Sequence, residues 1–378
     1  MKIIIAPDSF KGSLTAKEAA SAMARGVRAI APNAEIDIIP LADGGEGTLE
    51  ALVASTHGQF KQVAASDPLG RSINGLYGVL GDGKTIVIEM AVVSGLLLLK
   101  ENERNPLFTT TYGTGQLIRQ ALDSGGRELI LGIGGSSTND CGAGMAQALG
   151  VRFFRNDKTE ILDKICGKLL GDVAAIDNRR LHPIVRSAHI TVACDVRNPL
   201  LGENGCTYVY APQKGAKPEI VKQLEKNMTS FINIAEETIN RPVRDIPGAG
   251  AAGGLGAGLM LFLGAKLQPG IDIVMDACGF SERIKDADFI LTGEGKIDSQ
   301  TAFGKTIAGI ASRAKLRKIS VIAFAGKVEN TDNLHQSGVT SCCSISPDTM
   351  TLEQSMANAA TLLQSAVERV MRETLSGL

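Results

Sequence analysis

Five short stretches of this chain gather glycines, carboxylates and hydroxyls, each at the end of an apolar, strand-forming run. Residues 3–6 lead into Pro7-Asp8-Ser9-Phe10-Lys11-Gly12-Ser13, and 36–41 into Asp43-Gly44-Gly45-Glu46-Gly47-Thr48. Residues 129–131 precede Gly134-Gly135-Ser136-Ser137-Thr138-Asn139-Asp140, and 190–193 precede Asp195-Val196-Arg197-Asn198-Pro199. Residues 289–291 precede Gly293-Glu294-Gly295-Lys296-Ile297-Asp298. A Gly-Gly-Ser-Ser-Thr run lets backbone N–H groups and hydroxyls converge on one anion. Acids beside such a loop repel a bare phosphate. They make chemical sense if Mg²⁺ stands between them and the phosphates, or if one of them takes a proton from a hydroxyl. Lys11 can neutralise phosphate or carboxylate. Together these residue types point to phosphoryl transfer.

Each piece also has a plainer reading. An Asp after a strand, such as Asp8 or Asp43, serves equally as a turn or cap residue. Asp298 fits a turn before Gln300, and Lys11 alone reads as a solvated lysine. The glycines of 248–258 suit close helix packing as well as phosphate binding. Within them Gly248-Ala249-Gly250-Ala251-Ala252-Gly253 matches a dinucleotide fingerprint, but no strand precedes it. Gly78-Val79-Leu80-Gly81-Asp82-Gly83-Lys84-Thr85 has P-loop spacing. The next residues, Ile86-Val87-Ile88, are strand-like where a P-loop needs a helix, so this match predicts a hairpin turn. The four histidines, His57, His182, His189 and His335, lie outside the strand-exit loops. That argues against a Ser-His-Asp hydrolase and a histidine zinc site.

The elements that must carry these loops alternate as β-loop-α at both ends of the chain, the pattern of a parallel sheet. Thr15-Ala16-Lys17-Glu18 and Thr351-Leu352-Glu353-Gln354 have capping-box spacing ahead of apolar helical periodicity. Strands are predicted to end at Thr292-Gly293-Glu294-Gly295 and at Ala325-Gly326-Lys327. In the middle, 74–80 and 85–91 flank Gly81-Asp82-Gly83 as a hairpin, and 207–210 reads as β-like. The mixed strand directions imply an α/β domain, 66–279, inserted into a discontinuous one, 1–65 and 280–378. Ligands of open α/β sheets sit at the carboxyl ends of the strands, where these loops fall.

Bulk properties agree. A length of 378 residues suits two domains. A formal charge of −1 with no basic stripe excludes a general nucleic-acid binder, and no apolar run is long enough for a membrane span. Seven cysteines without a C-x-x-C pair read as reduced thiols in the cytoplasm.

In order and over the whole chain, these motifs resemble the bacterial glycerate kinase family. The 6–13, 42–48 and 134–140 segments carry the likeness. So do Cys194-Asp195-Val196 with Asn198-Pro199-Leu200, the 247–256 segment, and Thr292-Gly293-Glu294-Gly295 with Asp298, Gln300, Thr301, Gly304 and Lys305. Cys141 departs from it, where relatives often carry Gly. The resemblance implies ATP- and Mg²⁺-dependent phosphorylation of D-glycerate, most like the branch that makes 2-phosphoglycerate. It also implies two α/β domains, a discontinuous flavodoxin-like parallel-sheet domain and an inserted mixed-sheet domain, with the site in the cleft between them.

Roles within that frame rest on chemistry. Asp195 is the first candidate for the base that takes the glycerate hydroxyl proton, with Asp298 as its rival. Asp43, Glu46 and Glu294 are candidates for Mg²⁺ or its waters, and Ser9, Lys11 and Arg71 for the glycerate carboxylate. Residues 134–139, with Gly253 and Gly254, are candidates for nucleotide phosphates. A nucleotide-dependent dehydrogenase would need a strand before its glycine fingerprint. A non-catalytic phosphometabolite sensor would not need so many acids.

Overall fold

The computed structural model describes residues 1–45, 47–298, 301, 306–329, 331–347 and 349–376, apart from the side chains of residues 332 and 333. Its strands are β1 (Lys2–Ile5), β2 (Glu35–Ile38), β3 (Gln59–Ser66), β4 (Ser72–Val79), β5 (Thr85–Glu89), β6 (Glu128–Gly132), β7 (Arg152–Phe154), β8 (Ala175–Asp177), β9 (His189–Ala193), β10 (Lys266–Gln268), β11 (Phe289–Ile297), β12 (Ser320–Val328) and β13 (Ser341–Ser344). The longer helices are α1 (Ala16–Ile30), α2 (Thr48–Ser55), α3 (Tyr112–Asp123), α4 (Pro218–Ile239), α5 (Ala251–Leu263), α6 (Gly270–Ala277), α7 (Thr306–Lys315) and α8 (Ala359–Ser376). None of the described helices is long and apolar enough to cross a membrane.

The chain divides into two units. One comprises Met1–Asp43, Glu50–His57 and Ile271–Leu378; the other comprises Gly44–Leu49 and Gly58–Gly270. In the first, five parallel strands run β13-β12-β11-β1-β2. Counted along the unit, that is the flavodoxin-like order 2-1-3-4-5, which reverses between β1 and β11. The apolar residues Ile3 and Ile5 face Met23 and Val27 of α1 and Leu363, Val367 and Met371 of α8 in one core. A Cβ added at Gly26 would lie 2.7 Å from the Gln364 carbonyl, so Gly26 lets α1 and α8 approach closely. Thr15 caps α1 with the complete capping box, and Thr351 caps Leu352–Ala357 in the same way.

In the second unit, six strands run β10-β9-β6-β5-β4-β3. Strands β5, β6, β9 and β10 are parallel to one another, while β4 and β3 return antiparallel. Strands β7 and β8 form a separate antiparallel pair, and Phe153 of β7 stacks near Phe231 of α4 at 6.0 Å. The 78–85 segment covers the end of β4, a turn at 80–84 and the start of β5, the hairpin that its failed P-loop context predicts. Asp82 accepts there from the Lys84 and Thr85 backbone N–H groups and the Thr85 hydroxyl.

Several expectations are corrected. Strand β3 pairs along its whole length with β4, so residues 59–65, assigned to the first domain from sequence, belong to the second unit. Residues 271–279, assigned to the inserted domain, belong to the first. The 207–210 segment lies in a short helix, Cys206–Tyr210, despite its aromatic and β-branched content. Burial of Cys206 and Thr207 there outweighs an intrinsic preference too small to decide over so few residues. Strand β11 does not end at 291; it continues to Ile297, paired with β12 from Phe289↔Ser320 to Ile297↔Val328. Gly293 and Gly326 therefore lie inside strands. A Cβ at Gly293 would stand 2.4 Å from the Phe324 carbonyl, and one at Gly326 2.9 Å from the Gly295 carbonyl. These glycines mark close backbone approach, the other meaning of glycine in a strand. The last predicted helix is two, broken at Asn358.

Candidate active site

In the first unit, the loop after β1 runs beside the middle of β11. The Asp8 N–H donates to the Gly293 carbonyl at 2.9 Å, and a Cβ at Gly295 would stand 3.1 Å from the Lys11 nitrogen. Asp8 thus sits where the strand order reverses, the usual ligand position in this topology. Its carboxylate accepts from the Ser9 N–H at 2.6 Å and the Thr306 hydroxyl at 2.5 Å. Burial pushes its pKa up to about 6, the nearby charge of Asp43 adds to the rise, and the hydrogen bonds from Thr306 and Ser9 oppose it. Glu294, on the neighbouring strand, is 9 % exposed and accepts from the Thr301 hydroxyl at 2.6 Å. Asp298 pairs with Lys296 at 3.5 Å, and its N–H donates to Thr301 Oγ1. Ser9 is half-buried and Lys11 is exposed. Glu46, Gln300, Gly304 and Lys305 lie outside the described residues.

In the second unit, Gly44 has φ +93°, and a Cβ there would fall 2.6 Å from the Ala193 Cβ. A Cβ at Gly134 would lie 3.2 Å from the Gly45 Cα. The Gly-Gly pair after β2 and the one after β6 therefore let two backbones lie against each other. Glu89, at the end of β5, accepts from the Gly47 and Leu49 N–H groups, both at 3.3 Å, at the start of α2. A carboxylate suits the unsatisfied N–H groups of a helix N-terminus. Asp195 is exposed and accepts from the Gly270 N–H at 2.9 Å, at the start of α6. Arg71 is engaged with two acids, Asp67 at 2.5 Å and Glu103 at 2.7 Å.

The 134–140 segment splits into two parts. Gly134, Gly135 and Ser136 have solvent access, whereas Ser137, Thr138, Asn139 and Asp140 are buried. Ser137 Oγ donates to the Ser94 carbonyl, and Asn139 Nδ2 to Thr207 Oγ1. Asp140 accepts from the Thr111 N–H and hydroxyl and from the Gly142 and Gly144 N–H groups, and burial still pushes its pKa up to about 6. Solvent reaches only the first three residues of this stretch. Gly253 and Gly254 back this segment. A Cβ at Gly253 would lie 1.9 Å from the Thr138 carbonyl, and one at Gly254 3.0 Å from the Cys141 Cα. In α5, Ala252, Gly253 and Gly254 all have positive φ, so regular helix begins only after them.

Two groups have surroundings that sequence reasoning misses. Asp8 reads as one turn residue among several, and its burial is the missing information. Lys214 lies far along the chain, yet its Nζ donates to Ser136 Oγ at 2.6 Å. A lone lysine in Pro212-Gln213-Lys214 carries no signal of this.

Moving a proton off a hydroxyl and holding a polyphosphate are the two demands of phosphoryl transfer to an alcohol, and this chain is an enzyme of that class. Its sequence matches the model of the Glycerate kinase family over residues 3–375, and it belongs to that family. It is 48 % identical over 369 residues to the glycerate kinase of Halalkalibacterium halodurans, covering 97 % of each chain. It is 45 % identical over 360 residues to the glycerate 2-kinase of Escherichia coli K12, covering 95 % of this chain and 94 % of that one. A crystal structure from Salmonella typhimurium LT2, described as a glycerate kinase 2, superposes with a TM-score of 0.91 at 44 % identity, over 100 % of this chain and 99 % of that one.

Proposed function

We propose that this enzyme transfers the γ-phosphoryl group of ATP to the 2-hydroxyl of D-glycerate, giving 2-phosphoglycerate and ADP. The observation that carries this reading is the 45 % identity, across nearly the whole of both chains, to a glycerate 2-kinase. In the transfer the hydroxyl loses its proton, its oxygen bonds to the γ-phosphorus, and the bond to the β,γ-bridging oxygen breaks. Asp8 is the base best supported: a pKa raised to about 6 leaves it ionised at neutral pH yet basic enough to take a proton. Asp195 and Asp298 are the alternatives, the first bonded to the Gly270 N–H and the second paired with Lys296. Ser9 and Lys11 are placed beside Asp8 in sequence to hold the glycerate carboxylate.

A divalent cation fits the acids of the first unit. Mg²⁺ needs only one or two protein carboxylates, because it keeps waters and phosphate oxygens as its other ligands. Asp43, whose charge already disfavours ionisation of Asp8, would hold it, with Glu294 as a further candidate. When bound, Mg²⁺ neutralises charge developing on the transferring phosphoryl group. Residues 134–136 would hold the nucleotide phosphates. The seven unpaired cysteines support a reducing, cytoplasmic setting.

The test is a coupled ADP assay with ATP, Mg²⁺ and D-glycerate, followed by NMR of the product. ADP release no greater than in a glycerate-free control would sink the kinase reading, and 3-phosphoglycerate would overturn only the position of attack. With Asp8 as base, kcat/KM falls tenfold per pH unit below about pH 6. A profile flat down to pH 5 would remove Asp8 from that role.

A further inference from the structure

Lys214 ends a single 3-10 turn, Pro212–Lys214, and points inward, with 2 % of its surface exposed. A lysine this buried is rare unless it is paired. The partners of its Nζ are two neutral oxygens, Ser136 Oγ at 2.6 Å and the Thr138 carbonyl at 2.7 Å. The charged group that acts on it, Asp140, is occupied by the Thr111, Gly142 and Gly144 donors. Cys206, the other titratable group facing it, has a thiol pushed up to about 12 by burial and is neutral at working pH.

The bond to Ser136 has a forced direction. An ammonium has three donors and no acceptor, while a hydroxyl has one donor and two acceptor lone pairs. Against Lys214, Ser136 Oγ can only accept. Its own proton must turn elsewhere, and Ser136 lies in the part of the loop that meets solvent. A hydroxyl donor with a cation behind it is a receptor for an anionic oxygen. Burial also holds the Lys214 pKa down to about 8, so the charge is costly where it stands and an anion in front of it would offset that cost.

We propose that Lys214 is the positioning residue of the phosphate-binding loop: it fixes Ser136 as a donor and supplies from beneath the charge that balances a polyphosphate on residues 134–136. This rests on the reading of that loop as the ATP phosphate site. Lys214 itself is not a catalytic residue.

The test measures binding of inorganic tripolyphosphate to the full-length protein by calorimetry, with adenosine as control, for wild type, Lys214→Met, Ser136→Ala and the double variant. Lys214→Met weakens tripolyphosphate binding tenfold or more and leaves adenosine unchanged. Ser136→Ala weakens it several-fold, and the double variant is no weaker than Lys214→Met alone. In turnover, KM for ATP rises by a similar factor, while KM for glycerate stays within twofold. If Lys214→Met does not fold, the wild type still decides: its tripolyphosphate affinity falls about tenfold from pH 7 to pH 9.5 as Lys214 loses its proton. Wild-type binding of tripolyphosphate that is matched by Lys214→Met overturns the inference, as does an equal rise of both KM values or a pH-independent affinity. A wild type that binds neither tripolyphosphate nor ATP overturns the reading of the loop itself.

Discussion

At the scale of the residue, the base proposed for the transfer, Asp8, also bears on stability. Its pKa is raised from 3.8 to about 6 on folding, chiefly by burial. Between those values the folded chain keeps a proton that the unfolded chain has lost, so stability falls as pH rises through this window, and the full cost is present above it. Two pKa units correspond to an upper bound of about 3 kcal/mol. Asp8→Asn is therefore expected to raise the unfolding free energy at pH 7.5 by about 1–3 kcal/mol, to leave it unchanged at pH 4, and to lower kcat by about 100-fold. Urea titrations at the two pH values, set beside turnover, check all three. Arg71 illustrates the opposite case. With Asp67 and Glu103 on its guanidinium, Arg71→Ala should change KM for glycerate less than twofold in steady-state assays.

At the scale of the element, the glycine-rich stretches divide into those open to solvent and those that meet other backbone. Gly253 is of the second kind. Gly253→Ala would drive a methyl into the Thr138 carbonyl and is expected to cost more than about 3 kcal/mol in chemical denaturation, since both backbones are buried. Its neighbour Ala252 has φ +54°, where a side chain costs about 1–2 kcal/mol that glycine does not incur. Ala252→Gly should accordingly raise the denaturation midpoint. Legibility in the sequence was local. The Thr15 and Thr351 capping boxes, the Asp82 hairpin and the parallel alternation all declare themselves within a few residues. The illegible part depended on partners far along the chain. Gly293 looks like a strand exit until Phe324 lies beside it, and Ser137, Thr138 and Asn139 look like ligand donors until Ser94 and Thr207 occupy two of them. Which members of these loops face solvent is likewise decided by burial, which no local pattern shows.

At the scale of the molecule, the first unit is assembled from three segments, and its last helix, α8, packs on its first, α1. Truncation after Asn358 strips Leu363, Val367 and Met371 from that core. By hydrogen-exchange mass spectrometry, amides of β1, β2, β11, β12 and β13 should then lose protection, while those of β5, β6 and β9, whose core lies in the other unit, should keep it. Equal loss in both sets would show that the units unfold as one.

The position of β1 has a consequence for how the protein is made. It is an interior strand, with β2 on one side and β11 on the other. During synthesis β2 leaves the ribosome soon after β1, but β11 begins only at Phe289, roughly 250 residues later. At ordinary translation rates that is roughly ten to fifty seconds. Throughout that interval the apolar edge formed by Ile3, Ile4 and Ile5 has no strand on one flank, while the whole of the second unit emerges and can close. The nascent chain thus carries an open sheet edge, the kind of surface that invites chaperone binding or pairing between neighbouring polysome chains.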